Sequence, residues 1–165
     1  MPNRKASAMW EGGLKGGTGT FRAESGNISG NYSFSSRFEE GAGSNPEELL
    51  AAAHAACFSM ALSAQLEGNG TPPTRVETNA VCTVEKAGAG FKITTMRLTT
   101  HATVPNIDDA KFQQVANAAL EGCPVSQALK FRCAHVRSGV IFDRDLIGRG
   151  SAMSAVAPKA EVKAP

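Results

Sequence analysis

The chain has 165 residues, 42% hydrophobic and 19% charged, a length near the mode for one domain and a composition that excludes a largely disordered polymer. Its 17 basic and 15 acidic side chains leave a formal net charge of +2, too small an excess for a general nucleic-acid or anionic-membrane binder. We read no apolar run as reaching the roughly 18 to 20 residues that cross a bilayer, and residues 1–30 carry no signal-peptide apolar segment. A cytoplasmic protein without a membrane partner is therefore expected. In that reducing compartment the four cysteines, Cys57, Cys82, Cys123 and Cys133, are expected as thiols rather than permanent disulfides.

The first 40 residues mix glycine with strand formers, as in Gly19-Thr20-Phe21-Arg22 and Asn31-Tyr32-Ser33-Phe34-Ser35, which predicts short antiparallel strands joined by glycine turns. Gly12-Gly13-Leu14-Lys15-Gly16-Gly17 has no Gly-Lys-Ser/Thr ending and no following helix pattern; it is a turn, not a phosphate loop. A helix starts at Asn45-Pro46-Glu47-Glu48, with Asn45 as N-cap, Pro46 in the first helical position and Glu48 closing a capping box. Leu49, Leu50, Ala53, Ala56, Cys57, Met60, Ala61 and Ala64 then recur at spacings of three and four as one apolar face, up to a stop at Gly68. Its small polar side predicts a central, largely buried helix.

Residues 75–86 alternate as a half-buried strand with Val76, Thr78, Ala80, Cys82 and Val84 on one face. After a turn at Ala87–Gly90, Phe91 and Ile93 share one parity and Met96, Leu98, Thr100, Ala102 and Val104 the other, which requires a bulge near Thr94-Thr95. A second helix runs from Asp108 or Asp109 to Gly122, burying Phe112, Val115, Ala116, Ala119 and Leu120. Pro124 opens a short third helix with Cys123 at its N-cap, and a last strand is expected over roughly 131–142. Residues 1–145 are expected to form one domain and 146–165 a disordered tail.

Four cysteines in one small chain invite thiol chemistry, but not equally. Cys82, on a strand's apolar face, reads as a small hydrophobe. Cys133 stands two residues from His135, yet zinc needs three or four ligands and only His54 and His101 remain; no metal and no cofactor are expected. Cys123 at a helix N-terminus meets unpaired N–H groups that favour thiolate. Cys57 lies mid-helix and requires a cation from elsewhere, for which Arg37 is nearest in sequence; from the residues alone, a core cysteine and a solvated arginine are the favoured reading.

Asn45-Pro46-Glu47-Glu48-Leu49-Leu50, continuing through Ala52-Ala53-His54-Ala55-Ala56-Cys57-Phe58-Ser59-Met60-Ala61-Leu62, and Gly122-Cys123-Pro124-Val125-Ser126-Gln127 resemble the two cysteine motifs of the osmotically inducible protein C (OsmC) family, within the OsmC/Ohr superfamily of thiol-dependent hydroperoxide reductases. Trp10-Glu11-Gly12, Glu24-Ser25-Gly26 and Ser36-Arg37-Phe38-Glu39 also follow that pattern, so the resemblance covers roughly residues 8–140. It implies an α+β fold with antiparallel sheets and a long central cysteine-bearing helix, in an intertwined homodimer. It further implies Cys57 as peroxidatic nucleophile, Cys123 as resolving thiol, Arg37 holding the Cys57 thiolate and Glu47 positioning Arg37. The substrate would be an organic hydroperoxide, and the reductant a lipoyl-type or other small dithiol.

The choice of Glu47 has an independent argument: with Glu48 tied to the cap, Glu47 is free and lies about 80° around the helix from Cys57, against about 180° for Glu48. Leu50, Phe58 and Met60 are candidate substrate-pocket residues. Two other readings stand beside the peroxidase: cysteine-dependent acyl transfer or hydrolysis with His54 as base, for which no group orienting the imidazole is visible, and a non-catalytic module binding apolar ligands.

Overall fold

The computed structural model describes residues 2–132 and 140–142. Its elements run β1 (Ala6–Glu11), β2 (Thr18–Ala23), β3 (Ser29–Ser33), α1 (Phe34–Phe38), α2 (Pro46–Gly68), β4 (Arg75–Ala87), β5 (Gly90–Thr103), α3 (Asp109–Gly122), α4 (Pro124–Arg132) and β6 (Val140–Phe142). They group into two compact units, Met1–Leu50 and Ala51–Pro165, with the boundary inside α2. The architecture is α+β, as expected.

In the first unit β1, β2 and β3 form an antiparallel meander. The glycine cluster is the turn between β1 and β2, closed by Gly17 N–H donating to the Gly13 carbonyl at 2.7 Å. Gly19 lies opposite both Trp10 and Tyr32, and a Cβ there would run into the Tyr32 ring. The missing side chain lets the two rings close over the strand, with centroids 5.3 Å apart. The strand expected through Ser35 ends at Ser33 instead, because Ser33 is the N-cap of α1 and exchanges bonds with Ser36: Ser36 N–H donates to Ser33 Oγ at 3.1 Å and Ser33 N–H to Ser36 Oγ at 2.9 Å.

Asn45 caps α2 as expected, its Oδ1 accepting from Glu48 N–H at 2.8 Å. The return bond of a capping box is not made; the Glu48 carboxylate takes the Ser44 hydroxyl at 2.7 Å. The helix ends at Gly68 as expected. The left-handed residue of the stop is Gly70 just beyond it, at φ 79°, with Thr71 N–H donating to the Leu66 carbonyl and Gly70 N–H to the Glu67 carbonyl, the pair of bonds of a Schellman motif.

Within the second unit β4 and β5 pair antiparallel along their whole length, and β6 joins β5 in parallel. Thr83 opposes Thr95 while Val84 opposes Ile93. Thr94 is therefore the extra residue of a bulge, where the phase change in the sequence required one. Asp108 caps α3 through Lys111 N–H at 2.8 Å, and Phe112, Val115, Ala116 and Ala119 are buried from it. Of the strand expected over 131–142, residues 131 and 132 belong to α4 and Val140–Phe142 are strand; Cys133, His135 and the tail from 146 lie outside the described residues.

The core is built from Phe58, Leu62 and Leu66 of α2, Leu98 of β5, Phe112, Val115, Ala116 and Ala119 of α3, and Cys123. The stripe of α2 that it uses is His54, Phe58, Leu62 and Leu66, spaced by four, and not the face expected from sequence. Ala53, Ala56, Met60 and Ala64 are exposed in the single chain, Met60 at 76%. Two apolar stripes share this helix, and the one with the larger side chains takes the core because it removes more area from water. The same alanine content gives α2 a mean hydropathy of 1.5 over an 18-residue window, so by length and composition it passes for a membrane span, contrary to expectation.

Candidate active site

The expected site residues fall in both units. In the first unit α1 carries Arg37. Ser36 Oγ donates to the Ser44 carbonyl at 2.8 Å and Asn45 Nδ2 to the Ser36 carbonyl at 3.2 Å. These bonds clamp the segment before α2 against α1 and bring Glu47 to Arg37. Arg37 Nη2 donates to Glu47 Oε1 at 2.7 Å, and Arg37 Nε reaches both carboxylate oxygens at 3.2 Å. Glu47 is buried and Arg37 exposed, and the guanidinium lies 4.9 Å from the Phe38 ring centroid. Fixed on its Nε and Nη2 side, the guanidinium keeps its Nη1 edge without a hydrogen-bond partner among the described residues.

In the second unit Cys57 of α2 and Cys123 at the start of α4 face each other with sulfurs 3.2 Å apart, both outside any disulfide. Gln127 N–H donates to the Cys123 carbonyl at 3.0 Å, as an N-cap residue requires, so the expectation for Cys123 is met. The two thiols differ in access and acidity. Cys123 is fully buried; Cys57 is half-buried and lines an apolar groove of about 400 Å³ with Met60, Ala61, Ala64, Gln65, Ala119, Gly122 and Pro124. Burial pushes the Cys57 thiol up, and Cys123 beside it adds to this, against the N–H of Val125. Burial also acts to raise Cys123, but the Ser126 hydroxyl and N–H, the Cys57 thiol and the Val125 N–H together carry it below the ordinary thiol value. Of the two sulfurs, Cys123 is shifted towards the thiolate and Cys57 away from it.

Of the three candidate pocket residues only Met60 lines this groove. Phe58 is completely buried in the core, because its position in the every-fourth-residue stripe turns it away from Cys57's side. Leu50 belongs to the first unit. Cys82 is half-buried on β4 opposite Met96. Among the described residues no three His, Cys, Asp or Glu side chains gather as a metal site.

One pair was not anticipated. His54, 1% exposed, meets Ser126 with Nε2 and Oγ 2.7 Å apart. The available signal was positional: His54 precedes Cys57 by one helical turn and Ser126 follows Cys123 by three residues, so each polar residue accompanies a cysteine.

Comparison with known proteins now bears on this arrangement. The model of the family described as OsmC-like protein matches residues 39–135, more than half of the chain. The chain belongs to the OsmC-like family. It is 48% identical over 129 residues to peroxiredoxin OsmC of Escherichia coli (strain K12), covering 78% of this chain and 90% of that protein. The crystal structure of the organic hydroperoxide resistance protein OhrB of Bacillus subtilis is similar at a TM-score of 0.63 and 26% identity, over 82% of this chain and 97% of that one. The OsmC-like protein of Mycoplasma pneumoniae, at a TM-score of 0.65 and 13% identity over 87% and 97% of the two chains, shares the fold. Both cysteines lie within the OsmC-like match.

Proposed function

We propose that this chain reduces organic hydroperoxides to alcohols by a two-cysteine cycle on Cys57 and Cys123. The chain is a thiol-dependent hydroperoxide reductase by its relation to the OsmC and Ohr proteins, and the observation that carries the residue assignment is the 3.2 Å sulfur separation. Cys57 is the peroxidatic thiol because it is the sulfur that lines the groove. Its thiolate bonds to the distal peroxide oxygen, the O–O bond breaks, and the alkoxide takes a proton and leaves as alcohol. Cys57 is then a sulfenic acid. The Cys123 thiolate attacks that sulfur, the S–O bond breaks, the hydroxide takes a proton, and water leaves behind a Cys57–Cys123 disulfide. Two electrons have passed from the thiols to the peroxide, and a lipoyl-type or other small dithiol returns them by exchange.

Cys57 is the less acidic of the pair, so it needs a cation on deprotonation, and we assign that to Arg37 with Glu47 fixing its orientation. The Arg37–Glu47 bonds support this, with an Nη1 edge that has no hydrogen-bond partner among the described residues. We further infer a homodimer, supported by Met60 at 76% exposure and the alanine stripe beside it, an apolar face that a second copy would cover. An apolar groove beside Cys57 favours alkyl over small polar peroxides. The unit of function is then a dimer of single OsmC-like domains over 1–145, in the cytoplasm.

One equivalent of cumene hydroperoxide should remove two thiols per chain, restored by a dithiol; no loss overturns the reading. Mixing Arg37→Ala and Cys57→Ser subunits tests the dimer: activity from heterodimers supports sites shared between subunits, and its absence supports sites within one chain.

A further inference from the structure

His54 is a buried titratable group that the cycle leaves unused. Its Nε2 is 2.7 Å from Ser126 Oγ, while its Nδ1 has no hydrogen-bond partner among the described residues. A buried orphan N–H costs more than a buried bare ring nitrogen, because the donor loses its full hydration. The ring proton therefore sits on Nε2 and is donated to Ser126 Oγ. Burial pushes the imidazole below its ordinary value, so the ring is neutral near pH 7 and this tautomer is the resident form. With its oxygen accepting from His54, the Ser126 hydroxyl has its own proton left to give; Ser126 stands three residues after Cys123 in the first turn of α4, and its hydroxyl is among the groups that lower the Cys123 thiol.

We propose that His54 is a positioning residue for the resolving thiol: its Nε2–H fixes the Ser126 hydroxyl so that the hydroxyl proton is aimed at the Cys123 sulfur. The groups facing Cys123 are then Cys57 from α2, the Ser126 hydroxyl and the Val125 and Ser126 N–H groups from α4, with His54 behind Ser126. This chain of donors acts on the negative sulfur twice in the cycle. It holds Cys123 as the thiolate that attacks the Cys57 sulfenic acid, and it stabilises Cys123 again as the leaving thiolate when a dithiol opens the disulfide at Cys57. The inference rests on Cys123 being the resolving thiol. It assigns no charge to His54 and no proton transfer to the peroxide.

The test uses the chain with Cys57, Cys82 and Cys133 replaced by serine, so that Cys123 alone titrates and its thiolate is read by ultraviolet absorbance. Ser126→Ala is expected to lower the thiolate fraction at fixed pH about tenfold, and His54→Leu about threefold in the same direction. His54→Gln, which returns an N–H near the Nε2 position, is expected to restore the parent titration. In the four-cysteine chain, rapid-mixing kinetics should show sulfenic acid formation unchanged and disulfide formation slowed in His54→Leu. An unshifted titration in both His54→Leu and Ser126→Ala overturns the inference, as does His54→Gln behaving like His54→Leu. If His54→Leu does not fold, the comparison of Ser126→Ala with His54→Gln decides in the same way. A parent chain that loses no thiols to peroxide would sink the peroxidase reading instead, and the Cys123 titration would still judge the His54–Ser126 pair.

Discussion

Oxidising the chain with one equivalent of hydroperoxide should stabilise its fold as well as consume thiols. Cys57 and Cys123 are 66 residues apart in sequence, and a disulfide closing a loop of that length removes conformational freedom from the unfolded chain worth about 4 kcal/mol at 25 °C. Little native strain opposes it, because sulfurs already 3.2 Å apart need to approach by only about 1 Å to bond. For a chain of this size that stabilisation corresponds to a rise on the order of 10 °C in Tm. The assay is denaturant unfolding of reduced and peroxide-treated protein side by side, with Cys123→Ser as the control in which no loop can close. A peroxide-treated form that loses two thiols but is no more stable than the reduced form would refute the reasoning. It would mean that the new bond distorts the packing of Cys123, which belongs to the core, by as much as the loop closure contributes.

Cys57→Ser should abolish peroxide consumption, Cys123→Ser should leave a trappable sulfenic acid and stop turnover after one event, and Cys82→Ser should change little, all read by a peroxide-consumption assay. Arg37→Lys should lose about as much kcat/KM as Arg37→Ala, roughly ten- to a hundredfold, since an ammonium cannot hold Glu47 by two nitrogens and present a third; recovery by lysine would show that charge alone suffices. Because burial lowers the His54 pKa, its stabilising contribution is complete above about pH 6.5 and falls as pH drops below that value towards the folded-state pKa, where the unfolded chain binds the proton first. Unfolding free energy measured down through this window should therefore decline, and less steeply in His54→Gln. Phe58→Ala should cost about 3–5 kcal/mol by opening the core, while Met60→Ala, on the exposed stripe, should cost far less in the monomer.

Local signals in the sequence carried through to the fold where the physics is local. Asn45-Pro46, Asp108 and Cys123-Pro124 start helices because caps and proline act within one turn, and the change of parity between Ile93 and Met96 located the bulge at Thr94. The face of α2 was not legible, since alanine makes it apolar nearly all round and periodicity cannot rank two apolar stripes; the bulk of Phe58, Leu62 and Leu66 decides it. Helix α1 was hidden because five residues are too few to establish a period, and its serine cap looked like a continuing strand. Glu47 came from the family resemblance, with the tie of Glu48 to the cap as a separate argument; the Glu48 carboxylate is held by Ser44 instead, and the carboxylate that Arg37 meets is Glu47. Residue patterns could give each cysteine its local setting, but their adjacency joins elements 66 residues apart and was available only through family resemblance. The His54–Ser126 pair spans 72 residues and lay beyond both routes.

In the proposed cycle Cys57 and Cys123 form one redox pair. Peptide mapping by mass spectrometry, after one equivalent of cumene hydroperoxide and alkylation of the remaining thiols, tests it most directly. A single cross-link should join the peptides that contain Cys57 and Cys123, with Cys82 alkylated. A cross-link through Cys82, or fully alkylated cysteines after the peroxide has been consumed, would contradict it.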